Sequence, residues 1–322
     1  MKLAKASSRS SRGFSLIELL VVIAIIAIVI AILIPALRSA RITARKAATG
    51  ATLRDLCSAS QAFYTDKKRL PGYFSPVQMG AAANANTNAG FTGMQNVLLD
   101  LAGGVTQANV GGTVISVGPG GATPVNVDLA KIGAAGTEKG YFTPRKDALV
   151  ADAGLSASAS NRQLPQIVDA FGNPILAWVA DERASTQFAS VNSATPARFY
   201  WASNFGVLNS TGIGRDQKSQ QFSTTNYCSM LGGNATAGNL AATMASLLGN
   251  PAYPHPTIAN TPAAARGAVL FQSAGADGYF MGSSDRGSKS HGTGGAPPTS
   301  VPYVGGTDVM SDYDDVIQST GS

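Results

Sequence analysis

The feature that most constrains this chain is a long apolar segment near its N-terminus that carries a single acidic residue. Between Phe14 and Leu37 only Ser15 and Glu18 are polar. At ~1.5 Å per residue, a helix of this length crosses a hydrocarbon layer of ~30 Å. A charged group within such a helix costs roughly 2.5 to 3.5 kcal/mol, so Glu18 requires a partner of opposite charge.

A partner for Glu18 can be argued from the residues that precede it. The apolar segment follows a basic leader, which ends in Gly13 and holds Lys2, Lys5, Arg9 and Arg12. Cleavage between Gly13 and Phe14 would create an α-ammonium group on Phe14 at the same membrane depth as Glu18. The carboxylate of an adjacent copy could then pair with it, so cleavage would convert a membrane anchor into an assembly unit.

Gly13, Phe14 and Glu18 occur at the spacing found in the type IV pilin and type II secretion pseudopilin family, which the first 35 or so residues resemble. The resemblance implies removal of the leader, residues 1–13, by a membrane prepilin peptidase that also N-methylates Phe14. It further implies that residues 14–37 form a transmembrane and assembly helix. Copies would then polymerise through bundled N-terminal helices.

Two other interpretations of the N-terminus are a conventional signal peptide and a plain signal anchor. A conventional signal peptide predicts a small-x-small cleavage site after the apolar segment, and no Ala-x-Ala occurs between Ile30 and Lys46. A plain signal anchor remains as an alternative. The orientation is not set by charge, because the four leader cations are matched by Arg38, Arg41, Arg45 and Lys46 beyond the segment. A cytoplasmic leader is therefore what the family resemblance implies.

Composition limits the possible partners and chemistry. The 322 residues are 44% hydrophobic, enough to bury a core beyond the membrane segment. The formal charge falls from +6 to +2 without the four leader cations, which gives no reason to expect nucleic acid as a partner. Cys57 and Cys228 are compatible with a disulfide or with two buried thiols. His255 and His291 lie in Pro-rich and Gly/Ser-rich stretches and are expected in loops.

The pattern beyond the membrane segment predicts a stalk helix followed by a sheet. Residues 38–69 continue the helix, although Pro35 can kink it and Gly50 can bend it, and Leu70-Pro71-Gly72 ends it. One apolar stripe is expected to face the globular domain, at Leu53, Leu56, Cys57, Ser60, Phe63 and Tyr64. A further helix is expected at 240–248, and strands are expected at 112–117, 166–171, 175–179, 198–202 and 267–272. The predicted fold is therefore α+β, with an antiparallel sheet in a globular domain at 70–322.

Three later segments resemble major pseudopilins in particular. Asp169-Ala170-Phe171-Gly172-Asn173-Pro174 is similar to their Asp-x-Trp-Gly-x-Pro hairpin, with Phe171 in place of Trp. Ser273-Ala274-Gly275-Ala276-Asp277-Gly278 is similar to their Ser-x-Gly-x-Asp-Gly turn, and Asp314-Asp315-Val316 to their closing strand. About 100 residues separate the first two segments, where the family has a short link. Residues from about 181 to 265 are therefore expected to be an insertion that the resemblance does not explain.

In major pseudopilins the loops around the last two segments hold a structural calcium ion. The resemblance implies Asp277, Asp314 and Asp315 as candidate ligands, with Asp285 and Asp312 in reserve, because a hard cation requires several oxygens. The alternative is that Asp277-Gly278 is an ordinary turn and the C-terminal acids are solvated.

No enzyme signature was found. Residues 282–289 depart from a phosphate-binding loop, since Ser288 separates the glycine from the lysine, and no Gly-x-Ser-x-Gly occurs. The sequence therefore predicts a structural subunit of a pseudopilus or pilus-like filament rather than an enzyme.

The expected partners are copies of itself, other pseudopilins, the prepilin peptidase, an inner-membrane assembly platform and lipid. The expected location is the bacterial inner membrane with a periplasmic C-terminal domain, from which subunits enter the filament. The alternative from another class is a membrane-anchored periplasmic binding protein that does not polymerise. Two features favour different roles within the family. The large insertion favours a surface-displayed binding function, as in a pilus, whereas the three motifs favour a subunit of a secretion pseudopilus.

Overall fold

A computed structural model describes the fold. It describes residues 15–85, 90–107, 113–133, 140–150, 160–184, 187–209, 211–213, 219–220, 229–232, 237–283, 285 and 300–320. The chain divides into two compact units, Met1–Ala44 and Arg45–Ser322. The predicted domain boundaries at residues 13, 37 and 69 stay predictions.

The first helix, α1, runs from Leu16 to Lys67 without interruption at Pro35 or Gly50. It ends where Lys68 adopts the left-handed conformation (φ 56°) and donates its N–H to the Tyr64 carbonyl at 2.9 Å. This ending agrees with the predicted stop at Leu70-Pro71. In the second unit, α1 buries the predicted stripe of Leu53, Leu56, Cys57, Ser60 and Phe63. Tyr64 was predicted to belong to this buried stripe, but its side chain is 47% exposed.

The remaining described elements are short. The helices are α2 (Pro76–Met79), α3 (Gly93–Leu101), α4 (Ser160–Gln163), α5 (Phe205–Leu208) and α6 (Ala237–Leu248). Single 3₁₀ turns occupy Ala82–Asn84, Leu129–Lys131, Trp201–Asn204 and Val309–Asp312. The strands are β1 (Val105–Thr106), β2 (Val114–Val117), β3 (Val125–Asp128), β4 (Leu149–Val150), β5 (Gln166–Ile167), β6 (Leu176–Val179), β7 (Ala189–Ser190), β8 (Phe199–Tyr200), β9 (Thr211–Ile213), β10 (Ser219–Gln220), β11 (Val269–Ser273) and β12 (Val316–Ser319).

The main sheet is antiparallel, with the strand order β12-β11-β6. Every residue of β11 is buried, so both faces of this central strand are covered. Side chains alternate between the faces of a strand. Val269 and Phe271 accordingly pack in one core with the α1 stripe, whereas Leu270 packs in a second core with Trp178. A second antiparallel sheet has the order β1-β3-β2, and the shorter pairs are β4-β5, β7-β8 and β9-β10.

The segment expected as an insertion forms much of the second core. Its buried apolar residues cover the face of the main sheet that carries Leu270 and Trp178; among them are Phe199, Trp201, Val207, Leu247 and Leu248. The helix predicted at 240–248 begins at Ala237 and ends as expected at Leu248. The insertion therefore supplies a layer of the fold.

The structure confirms an α+β fold and shortens several predicted strands. The strand predicted at 166–171 ends at Ile167, because Asp169 turns the chain through hydrogen bonds to the N–H groups of Phe171 and Asn173. The strand predicted at 198–202 is limited to Phe199–Tyr200 and continues as a helical turn. Residues 114–117 form a strand as predicted, while residue 112 lies outside the described residues.

Candidate functional sites

The three motif segments of the second unit meet in the structure. Asp169 accepts a hydrogen bond from the Ser273 hydroxyl at 2.6 Å, and the Asn173 amide donates to the Gly275 carbonyl at 3.1 Å. Asp314 in turn accepts a hydrogen bond from the Ala276 N–H at 2.6 Å. The hairpin, the turn after β11 and the approach to β12 thus form one assembly, although about 100 residues separate the first two in sequence.

Three carboxylates converge in this assembly. Asp277, Asp285 and Asp314 each present an oxygen, and these oxygens all lie within 4.8 Å of one another. One oxygen of Asp314, Oδ2, accepts hydrogen bonds from the N–H groups of Ala276 and Asp277. The other, Oδ1, is buried and has no hydrogen-bond partner among the described residues. A convergent set of carboxylate oxygens with one left unsatisfied has the chemistry that a hard cation such as Ca²⁺ requires.

Burial and mutual repulsion disfavour the charged forms of these acids. Burial, opposed in part by the Tyr279 N–H, raises the pKa of Asp277 to about 7, and the neighbouring Asp314 and Asp285 charges add to the rise. The pKa of Asp285 is raised by burial and then by Asp314, while Lys46 on α1 acts in the opposite direction. The cluster is therefore electrostatically strained when every member is ionised, which a bound cation would relieve.

The predicted ligand Asp315 has a different environment. Its carboxylate accepts hydrogen bonds from the Gln272 amide at 2.6 Å and from the Met281 N–H at 2.9 Å, and Gln272 also accepts from the Trp178 indole at 3.1 Å. Burial raises the pKa of Asp315 well above its usual range. Asp315 thus joins the acidic assembly to the second core and lies outside the three-carboxylate cluster. Asp312 is exposed and also lies outside it.

Asp285 was predicted only as a reserve ligand. The structure brings it to the cluster, with its N–H donating to the Gly282 carbonyl. Two of the four basic residues beyond the apolar segment, Arg45 and Lys46, interact with residues of the acidic assembly. The Arg45 guanidinium lies 5.9 Å from the ring centre of Phe171, and the positive charge of Lys46 opposes the rise in the pKa of Asp285 that burial causes.

The predicted histidines and cysteines are described in part. His255 lies in a loop as predicted, and Cys57 is a buried free thiol. His291 and Cys228 fall outside the described residues.

The first unit presents its apolar residues on its surface. From Leu16 to Leu37 the large apolar side chains are between 45% and 80% exposed. Within the described residues, α1 is the helix that is long and apolar enough to cross a membrane. Glu18 lies in its first turn, where its carboxylate accepts a hydrogen bond from the Ser15 N–H at 2.9 Å. The predicted processing residues Gly13 and Phe14 lie outside the described residues.

Comparison with protein families identifies this N-terminus. Residues 8–34 match the model of the prokaryotic N-terminal methylation motif. The chain carries a type IV pilin-like N-terminus. The matched region contains Gly13, Phe14 and Glu18 and most of the exposed apolar part of α1. Neither the curated proteins nor the solved structures include a significant match to the chain.

The motif and the apolar helix fit a membrane-anchored, pilin-like protein. Subunits with this motif are structural and are processed by a prepilin peptidase before they assemble into filaments. The match extends over the first part of α1 and ends before the second unit begins at Arg45.

Proposed function

We propose that the chain is a structural subunit of a type II secretion pseudopilus or a type IV pilus-like filament, and that it is cleaved between Gly13 and Phe14. The observation that carries the proposal is the methylation motif on a helix whose apolar side chains are exposed. In the membrane, lipid covers these side chains. In a filament, the same helices of neighbouring copies cover them.

Glu18 sets the alignment of neighbouring copies in this proposal. The α-ammonium of a processed Phe14 is the cation that neutralises the Glu18 carboxylate of an adjacent copy. A misaligned neighbour leaves the charge unpaired in a medium of low dielectric constant, which costs several kcal/mol or more. Pairing therefore selects one register among the many that apolar contacts alone would allow.

Mass spectrometry of the mature N-terminus and a filament assay test this proposal. The native protein should begin at a methylated Phe14, and replacement of Gly13 by a larger residue should leave the leader in place. Glu18→Ala should give processed protein that does not enter filaments, whereas Asp147→Ala, which removes an exposed acid of the second unit, should leave filament yield unchanged. Mature protein that still begins at Met1 would favour the non-polymerising binding protein instead, and a normal filament yield from Glu18→Ala would refute the alignment role.

The second unit favours the secretion pseudopilus over the pilus in this proposal, with residues 45–322 in the periplasm. The support is that all three segments resembling major pseudopilins meet in one assembly. Neighbouring secretion genes and short filaments would agree with this assignment. Long surface pili would contradict it.

We also propose that Asp277, Asp314 and Asp285 hold a structural Ca²⁺ ion, with Asp315 supporting the loop behind them. The unsatisfied Asp314 oxygen and the raised pKa of Asp277 support the proposal. Calcium at about 100 times its dissociation constant stabilises a folded protein by about 2.7 kcal/mol. The melting temperature of the full chain in detergent should therefore rise by several degrees with Ca²⁺.

Two variants make the calcium experiment specific. Asp314→Asn should abolish the rise in melting temperature, while Asp147→Asn, at an exposed ion pair, should retain it. Calorimetry that detects no binding, together with a melting temperature that a chelator leaves unchanged, would refute the calcium site.

A further inference from the structure

A cleft surrounds the turn that follows α1, and neither the motif nor the acidic cluster uses it. It comprises two cavities of about 700 Å³ and 670 Å³ that adjoin at Leu70, Pro71 and Glu182, which line both. Each cavity has the size of a small-molecule site, and the two together exceed that range. A ligand that fills both cavities must therefore be elongated and must pass the three residues that they share.

The walls of the cleft combine aromatic and cationic side chains. Tyr64 and Tyr73 line it and remain 47% and 43% exposed, respectively. Lys68, Arg183 and Arg198 also line it, and no hydrogen bond or ion pair holds their side-chain charges within the described part of the chain. Exposed tyrosines and arginines are the residue types enriched at binding hot spots.

The balance of charge in the cleft favours an acidic ligand. Arg69 is engaged by Asp100, and the Asp181 carboxylate accepts a hydrogen bond from the Arg183 N–H. Asp181 and Glu182 are the acids among the described lining residues, against three cations, Lys68, Arg183 and Arg198, whose side chains have no ion pair there. A ligand that brings carboxylates to these cations gains electrostatic complementarity and a faster association rate.

One backbone position at the edge of the main sheet is open to a polypeptide ligand. The N–H of Ala180 donates to the Ala268 carbonyl at 2.8 Å. Backbone groups alternate in direction along a strand. Ala177 and Val179 therefore point their backbone groups away from β11. The Asn204 amide covers the Ala177 carbonyl at 3.0 Å, and the Asp181 N–H donates to the Arg198 carbonyl at 2.7 Å. The Val179 backbone between them has no hydrogen-bond partner in the described part of the chain, and Val179 lines the cleft.

We propose that this cleft binds an extended, acidic segment of a partner protein. The segment bonds its main chain to the N–H and C=O of Val179, places carboxylates against Lys68, Arg183 and Arg198, and packs apolar side chains on Tyr64 and Tyr73. The main-chain pairing is limited to Val179, because the Ala177 carbonyl and the Asp181 N–H on either side already have partners, and the side chains supply the selectivity.

The test uses the full-length protein in detergent and a fluorescein-labelled peptide, Glu-Val-Glu-Val-Glu-Val-Glu, followed by fluorescence anisotropy. Binding should be saturable and weakened by salt, and the matched peptide with Gln in place of Glu should bind far more weakly. Arg198→Gln and Lys68→Gln should each weaken binding roughly two- to fivefold, as expected for partly exposed ion pairs. Lys146→Gln removes an exposed cation outside the cleft and should leave binding unchanged. Melting temperatures of all variants verify that the fold is retained.

Three results would overturn the proposal. The first is equal binding of the Glu and Gln peptides, or none of either. The second is equal loss of binding in Lys146→Gln and Arg198→Gln. The third is unchanged binding of a peptide whose central backbone nitrogens are methylated, or equal competition by free glutamate, because either would show an anion site without main-chain pairing at Val179. Filament assembly is not required for this assay, so its outcome is separate from the proposed structural role.

Discussion

Asp100 holds the turn that follows α1, and its replacement by alanine should cause a large and local loss of stability. Its carboxylate accepts hydrogen bonds from Arg69 Nη1 at 2.6 Å and Nη2 at 2.9 Å, and from the Gly72 N–H at 2.7 Å. The Asp100 side chain is only 8% exposed, whereas that of Arg69 is 50% exposed. The ion pair is therefore intermediate between a fully buried pair and a solvent-exposed one.

The expected loss follows from this intermediate position. In Asp100→Ala, water rehydrates the Arg69 guanidinium, which limits the loss from the ion pair to about 1 kcal/mol. The Gly72 N–H is partly buried and loses a charge-assisted bond worth about 1.5 kcal/mol or somewhat more. Together the free energy of unfolding should fall by about 2 to 3 kcal/mol. For a domain of this size the melting temperature should then fall by about 5 to 10 °C.

The assay is thermal unfolding of the full chain in detergent, followed by the fluorescence of the buried Trp178 and Trp201. Asp147→Ala is the matched control, because Asp147 pairs with Arg145 at 3.1 Å but both side chains are mostly exposed. This control should lose less than about 1 kcal/mol. Equal melting temperatures for the two variants would refute the argument that burial of Asp100 determines the effect.

Three further predictions concern other positions. Gly93→Ala should lower the melting temperature by more than Asp147→Ala does, because a Cβ at this position would overlap with the Ala177 carbonyl oxygen. Lys68→Gly should stabilise the chain by about 1 kcal/mol, measured by the same unfolding assay, since glycine adopts the left-handed conformation at the end of α1 without strain. The raised pKa of Asp277 means that the folded chain binds a proton between pH 3.8 and about 7 that the unfolded chain does not. Without calcium, wild type should therefore gain stability relative to Asp277→Asn as pH falls through this window, and parallel melting curves across it would contradict the shift.

The sequence predicted the long first helix and its end well, because both depend on local signals. The apolar segment, the stripe from Leu53 to Phe63 and the Leu-Pro turn each act within a few residues, and the structure follows them closely. The short strands were less predictable. The chain leaves β5 at Ile167 because the Asp169 side chain competes for the backbone, which a strand pattern does not reveal.

Similarity to known motifs predicted that acidic residues would meet here, but it did not predict which three aspartates form the cluster. Asp315 follows Asp314 directly, so the two side chains point in different directions, and Asp315 bonds to Gln272 and Met281. Asp285 reaches the cluster through a turn at Gly282. The cleft could not be predicted at all, because it forms where six segments that are distant in sequence meet.

The coverage of both faces of β11 limits how this protein can change. An insertion that only lies on the surface of a domain can be exchanged or deleted without loss of the fold. Residues 181–265 cannot be deleted in this way, because their removal would expose the face of the sheet that carries Trp178 and Leu270 to water. Sequence variation, and any foreign epitope grafted for display, is best accommodated at the 250–262 loop, where Tyr253 and Ile258 are already 58% and 51% exposed.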